Sequence, residues 1–175
     1  MKNNTEQNSQ IPTELDLVNY FHSGSKSPED YSIGTENEKF LFHNASLSPL
    51  QYSERSGIVD VFEILINQFH WSPIFDGDNI IGLSDAKNDR NITLEPGGQI
   101  ELSGAKCSNL HQTNEEFIRY HSQISYICNE LNIGALGLGF CPNWGFNDMA
   151  KVPKTRYTIM RKYMPKVGTK GLDMM

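Results

Sequence analysis

The sequence predicts an α+β fold built on an antiparallel sheet, and three observations carry that reading. Short runs of period-two alternation are joined by tight turns, which is how antiparallel strands are connected. Two stretches, 58–69 and about 110–132, instead repeat their apolar residues at helical spacing. The glycine-rich run Ala135-Leu136-Gly137-Leu138-Gly139-Phe140 does not have the GxGxxG order between a strand and a helix, so a dinucleotide-binding βαβ unit is rejected.

The 175 residues suffice for one domain with a real core, and 38% hydrophobic with 21% charged residues describe a soluble globular protein rather than a disordered one. No apolar run approaches the roughly 18 residues of a membrane span, and the polar start Met1-Lys2-Asn3-Asn4-Thr5-Glu6 is no secretion signal. The expected location is the cytoplasm, with no membrane partner. Cys107, Cys128 and Cys141 show no CxxC spacing, which argues against a zinc site or a disulfide framework.

The net charge of −6 is unevenly spread. Residues 151–175 hold seven of the 15 Lys+Arg and only Asp173 of the 21 Asp+Glu, a balance of +6 against −12 for residues 1–150. A basic segment on an acidic body suits intramolecular complementarity or an anionic ligand. Nucleic acid is not expected, because Ile159, Met160 and Met164 interrupt the charge and the whole chain is acidic.

Residues 1–12 read as a disordered terminus and 13–175 as the folded part. Thr13 caps a helix through Leu17, Val18 and Phe21 that Ser23-Gly24 stops. Residues 31–42 form the first strand, with Glu36, Glu38, Phe40 and Phe42 on one face. Ile58, Phe62, Leu65, Ile66 and Phe69 make the stripe of a helix ended by Trp71-Ser72-Pro73. A hairpin turns at Asp76-Gly77, and a polar loop at 84–90 leads to Asn91-Ile92-Thr93-Leu94. The longest helix, 110–132, buries Leu110, Phe117, Ile124, Ile127 and Leu131, with Gly134 just beyond its end. A glycine-rich strand follows at 135–140, and a last short helix from Thr155 is stopped by Pro165.

The candidate site centres on Leu94-Glu95-Pro96-Gly97-Gly98-Gln99-Ile100-Glu101-Leu102-Ser103-Gly104. Two carboxylates flank a Pro-Gly-Gly bend, and alternation puts Gln99, Glu101 and Ser103 on one face with Ile100 and Leu102 on the other. Glu36 and Glu38 share a face in the same way. Two such strands side by side either form a multi-carboxylate site for a hard cation such as Mg²⁺ or present ordinary solvated faces. Arg156 and Arg161, five apart, either flank a groove for a carboxylate or phosphate or lie on a solvated basic helix.

Six stretches taken in order resemble one family. They are Ile33-Gly34-Thr35-Glu36-Asn37-Glu38-Lys39-Phe40, Gly77-Asp78-Asn79-Ile80-Ile81, Leu94–Gly104, Leu110-His111-Gln112-Thr113, Gly137-Leu138-Gly139-Phe140 and the Met-rich Pro153–Met175. Together they resemble glutamate–cysteine ligase of the plant and proteobacterial type. The resemblance implies part of a glutamine-synthetase-like curved antiparallel sheet, a funnel with substrates on its concave face and helices outside. It carries over Glu36, Glu38, Glu95 and Glu101 as ligands of Mg²⁺ bound with ATP. It makes Arg156 catalytic and, with Tyr157, Arg161 and Lys166, substrate-binding; no residue is assigned to the nucleotide.

The implied reaction fits these residue types. The γ-carboxylate of glutamate attacks the terminal phosphoryl group of ATP, ADP leaves, and the amine of cysteine displaces phosphate from γ-glutamyl phosphate. Such chemistry needs positioning and charge stabilisation rather than a protein nucleophile. Asn37 stands where the family commonly has His, Ser32 where a basic residue is common and Leu41 where Gly is common. A cysteine that plant members carry near Asn114 is absent, so its redox switch is not expected. Family members also continue past the segment matching Met175, which makes this chain an expected N-terminal portion, truncated or split, with a C-terminal companion chain as a partner beside glutamate, cysteine and ATP. The alternatives are a non-catalytic metal- and amino-acid-binding module that associates with a full-length ligase, and glycoside hydrolysis by Glu95 and Glu101.

Overall fold

The computed structural model describes residues 13–175. The expected disordered terminus, 1–12, lies outside the described residues. The chain forms two compact units that divide between Tyr31 and Ser32.

In the first unit, helix α1 (Glu14–Ser23) begins as the sequence predicts. Thr13 Oγ1 accepts from the Asp16 amide at 3.2 Å while Asp16 Oδ2 accepts from the Thr13 amide at 2.8 Å, a reciprocal capping box. Gly24 follows the last turn. No α1 residue is buried, and Tyr20 and Phe21 are largely exposed.

The second unit contains β1 (Glu36–His43), α2 (Ile58–Phe69), β2 (Ser72–Asp76), β3 (Asn79–Asp85), β4 (Arg90–Leu94), β5 (Ile100–Ser103), α3 (Leu110–Leu131), β6 (Ile133–Leu136) and α4 (Thr155–Val167). Its six strands form one antiparallel sheet in the order β2-β3-β4-β5-β1-β6. The predicted α+β class is what the chain adopts. Leu83, Ile92, Leu94, Ile100, Leu102 and Leu41 supply one sheet face and pack with Ile58, Val61, Phe62 and Leu65 of α2 and Tyr120, Ile124 and Ile127 of α3. Burying these side chains stabilises the fold by roughly 1.5–3 kcal/mol for each large one.

The β2–β3 hairpin turns through Gly77 and Asp78, and Gly77 takes φ 60°, which a glycine adopts without the strain of a Cβ. The Pro-Gly-Gly bend is closed by Gly98 N–H on the Glu95 carbonyl and Glu95 N–H on the Gln99 carbonyl, both 2.9 Å, with Gly98 at φ 86°.

Several boundaries differ from the sequence expectation. β1 starts at Glu36 rather than residue 31, because Ile33 pairs only in an isolated bridge with Cys107. α2 ends at His70 in the left-handed region, just before Trp71-Ser72-Pro73, and Ser72-Pro73 already belongs to β2; proline is tolerated there because β2 is an edge strand. α3 has the predicted span, but Leu110 and Phe117 are exposed while Glu116, Tyr120 and Gln123 are buried. Asn132 caps it in the left-handed region, and Gly134 lies within β6. A Cβ on Gly134 would meet the Phe42 ring at 2.3 Å, so this glycine permits close strand approach. The glycine-rich strand is displaced to 133–136, leaving 137–140 irregular. α4 does not stop at Pro165 but runs two residues past it; Pro165 lacks the N–H that would bond the Arg161 carbonyl, and the helix ends within the same turn.

Candidate active site

The sheet's second face carries the acids. Register places Glu38 opposite Glu101 and Glu101 opposite Thr93, with Glu36 opposite Ser103 one step along. Side chains alternate across a strand, so Glu36, Glu38, Glu101 and Ser103 share the face away from Ile100 and Leu102. Asn37 points to the opposite face, as the alternation predicts, and its buried Oδ1 has no hydrogen-bond partner.

Glu101 is 9% exposed and accepts from Ser103 Oγ at 2.8 Å. Glu95 comes off the end of β4 and meets it. Burial, then hydrogen bonding with Glu101 and its negative charge, holds the Glu95 carboxyl above the usual carboxylate range; Glu38 adds to this and Lys154 opposes it.

The cationic side comes from the start of α4. Lys154 Nζ donates to the Leu94 carbonyl at 2.8 Å, and the Tyr157 hydroxyl donates to the same oxygen at 2.8 Å. Burial and the neighbouring Arg156 charge lower the Lys154 pKa, while Glu95 and Glu101 raise it. Burial pushes the Tyr157 hydroxyl up, partly offset by a hydrogen bond with Arg156, whose guanidinium lies 5.2 Å from the ring centre.

Glu36, Asp76, Thr93, Glu95, Glu101, Lys154 and Arg156 line one cleft of about 560 Å³. Glu38 and Glu95 also border a second cleft of about 450 Å³ with Phe40, Trp144, Phe146 and Met149. Thus Glu95 stands between a polar and an aromatic cavity. Arg161 is held elsewhere, with its guanidinium donating to the Pro96 carbonyl at 3.3 Å and stacked 5.6 Å from the Phe146 ring centre. Lys166 is exposed in the last turn of α4 and lines neither cleft.

Sequence reasoning missed Lys154 and Asp76. Lys154 was visible only as one cation of a basic segment, and Asp76 only as a turn residue.

Among the described residues, no three His, Cys, Asp or Glu side chains converge into a ready-made metal cage. The donor set nevertheless fits Mg²⁺, which takes one or two carboxylates and completes its shell with water and phosphate oxygens. The paired Glu95 and Glu101, whose mutual repulsion Lys154 offsets only in part, supply such donors.

The family model described as glutamate-cysteine ligase family 2 (GCS2) matches residues 32–175. The chain is 48% identical to proteins named glutamate–cysteine ligase, chloroplastic, from Nicotiana tabacum and Solanum lycopersicum, and 47% identical to that of Arabidopsis thaliana. Each match covers 93% of this chain but 30% of the relative, so the chain spans about a third of their length. These names overturn the cytoplasmic location read from the sequence, which stood on the lack of a membrane span and of a secretion signal. Among the described residues, no helix is long and apolar enough to cross a membrane.

Proposed function

The chain belongs to glutamate–cysteine ligase family 2, and from that premise we propose that it contributes the acid-bearing part of an ATP-dependent ligase acting on glutamate and cysteine, in a plastid as its relatives' names suggest. The observation that carries this reading is the Glu95–Glu101 carboxylate pair facing Lys154 and Arg156 across one cleft. Acids suit the metal that accompanies nucleotide phosphates, and adjacent cations suit the carboxylate to be phosphorylated.

Glu95 and Glu101, with Glu36 and Glu38 on the same face, would hold Mg²⁺. Bound there, the ion neutralises phosphate charge and stabilises the transferring phosphoryl group. Arg156 and Lys154 orient glutamate by its carboxylate and keep the γ-carboxylate in line with the terminal phosphoryl of ATP. Ser103, donating to Glu101, fixes the direction of that carboxylate. ADP is released as the acyl phosphate forms. The cysteine amine then attacks the acyl carbon, loses a proton, and expels inorganic phosphate. We further infer that the sheet is one wall of the family's funnel: the acids lie on one face, and α2 and α3 cover the other.

The test begins with Mg²⁺-dependent ATP binding by the chain, followed by ADP release after the remaining two thirds of a plant relative is added as a second polypeptide. ATP binding should require Mg²⁺, and ADP release should require both amino acids. Glu101→Gln keeps the shape and removes the charge, and should weaken binding by about a hundredfold or more. Unchanged Mg²⁺-ATP affinity in a folded Glu101→Gln chain would refute the ligand assignment.

A further inference from the structure

Asp76 lines the same cleft as the acids but is committed differently. Its Oδ2 accepts from the Thr155 backbone N–H at 2.6 Å, and its Oδ1 accepts from Thr155 Oγ1 at 2.8 Å. Both oxygens therefore serve α4, across 79 residues of sequence. α4 lacks a cap of its own, since the Lys154 side chain at the N-cap makes no capping bond to the first-turn amides and the first turn holds no acid. The first amides of a helix have no partner within it, and a carboxylate placed there satisfies one of them and complements the helix dipole. The same two bonds hold the Asp76 carboxyl below its usual range.

The residues on either side of Thr155 are Lys154 and Arg156, the cations of the cleft. One anchor for this turn is the Leu94 carbonyl at the end of β4, which takes Lys154 and Tyr157. Asp76, at the tip of the β2–β3 hairpin, is a second anchor, on Thr155. Two anchors on different strands remove the rocking freedom that one would leave.

We propose that Asp76 is a positioning residue that clamps the first turn of α4 to the β2–β3 hairpin and so holds Lys154 and Arg156 at the orientation that binds an anionic ligand against the acid pair. The identity of that ligand, glutamate, rests on the function proposed above; the clamp itself does not.

The test compares the wild-type chain with Asp76→Ala, Asp76→Asn and Thr155→Ser, the last keeping both donors. Hydrogen exchange is followed at amides 155–158 without ligand, and L-glutamate is titrated in the presence of Mg²⁺ and ATP. In Asp76→Ala these amides should exchange about tenfold faster while β4 and β5 stay protected, and glutamate affinity should fall about tenfold. Asp76→Asn, which keeps one acceptor, should fall between the two, and Thr155→Ser should match the wild type. Unchanged exchange at Thr155 in Asp76→Ala overturns the clamp, and faster exchange with wild-type glutamate affinity overturns its role in binding. A wild-type chain that takes no glutamate overturns the functional reading and the ligand part of this proposal, and the exchange measurement then separates that failure from failure of the clamp.

Discussion

Glu95 is the residue at which stability and function pull apart. Its carboxyl is raised by burial, by Glu101 and by Glu38, so its ionised form costs the folded state free energy. A group whose folded pKa is raised contributes stability that is full below the unfolded carboxylate value, about 4.3, and is lost as pH rises through the folded value. Glu95→Gln should therefore melt a few degrees higher than the wild type at pH 7 without divalent ions, with the gap closing below about pH 4. Thermal unfolding at the two pH values checks this, and an equal or lower melting temperature at pH 7 would show that the pair is not strained. The residues around Glu95 show what was legible in the sequence. Glu101 could be placed on a polar face because strand alternation is local. Lys154 could not, because its position depends on the Leu94 carbonyl, 60 residues away. Arg161 and Lys166 are grouped with Arg156 by the family resemblance, yet one is spent on Pro96 and Phe146 and the other faces solvent.

Among the elements, α3 does more than cover the sheet. Its buried Glu116 accepts from the Ala105 amide at 2.8 Å and from Thr35 Oγ1 at 3.4 Å. Those two partners lie just after β5 and just before β1, the strands that carry Glu101 and the Glu36–Glu38 pair. One carboxylate thus ties together the ends of both acid-bearing strands. Gly104 makes room for it, since a Cβ there would come 2.2 Å from Glu116 Oε2. Glu116→Ala leaves the Ala105 amide without its partner and should cost about 1–3 kcal/mol in urea unfolding. A loss within about 0.5 kcal/mol would mean that the tie is replaced by water. Helical periodicity identified the span of α3 but not this role. Glu116 reads as a solvent-facing residue when only apolar positions are scored, and Leu110 and Phe117 read as core, although both are exposed. Along α2 the same rule succeeded because that helix lies on the sheet, where its apolar stripe has a partner throughout.

At the scale of the whole molecule, the sheet separates two environments: a packed face against α2 and α3, and an open face with the acids and α4. β4 and β5 sit in the middle of the strand order, paired on both sides, while β2 and β6 each have one unpaired side among the described residues. Opening β4 or β5 exposes Ile92, Leu94, Ile100 and Leu102 together, all at most 2% exposed, whereas fraying β6 gives up much less burial. Amide exchange should therefore be slowest in β4 and β5 and faster in β2, β6 and the end of α4. The site draws on both classes, with Glu101 on a central strand and Arg156 on a helix held by a few tethers. Mg²⁺ with ATP and glutamate should then slow exchange in 95–99 and 155–158, where ligand contact replaces missing burial. Exchange in α3 should be unaffected, because it packs on the sheet face away from the acids. Protection spreading evenly over α3 and the sheet would instead signal general stabilisation of the fold, and would detach binding from the local ordering that this arrangement of tethers requires.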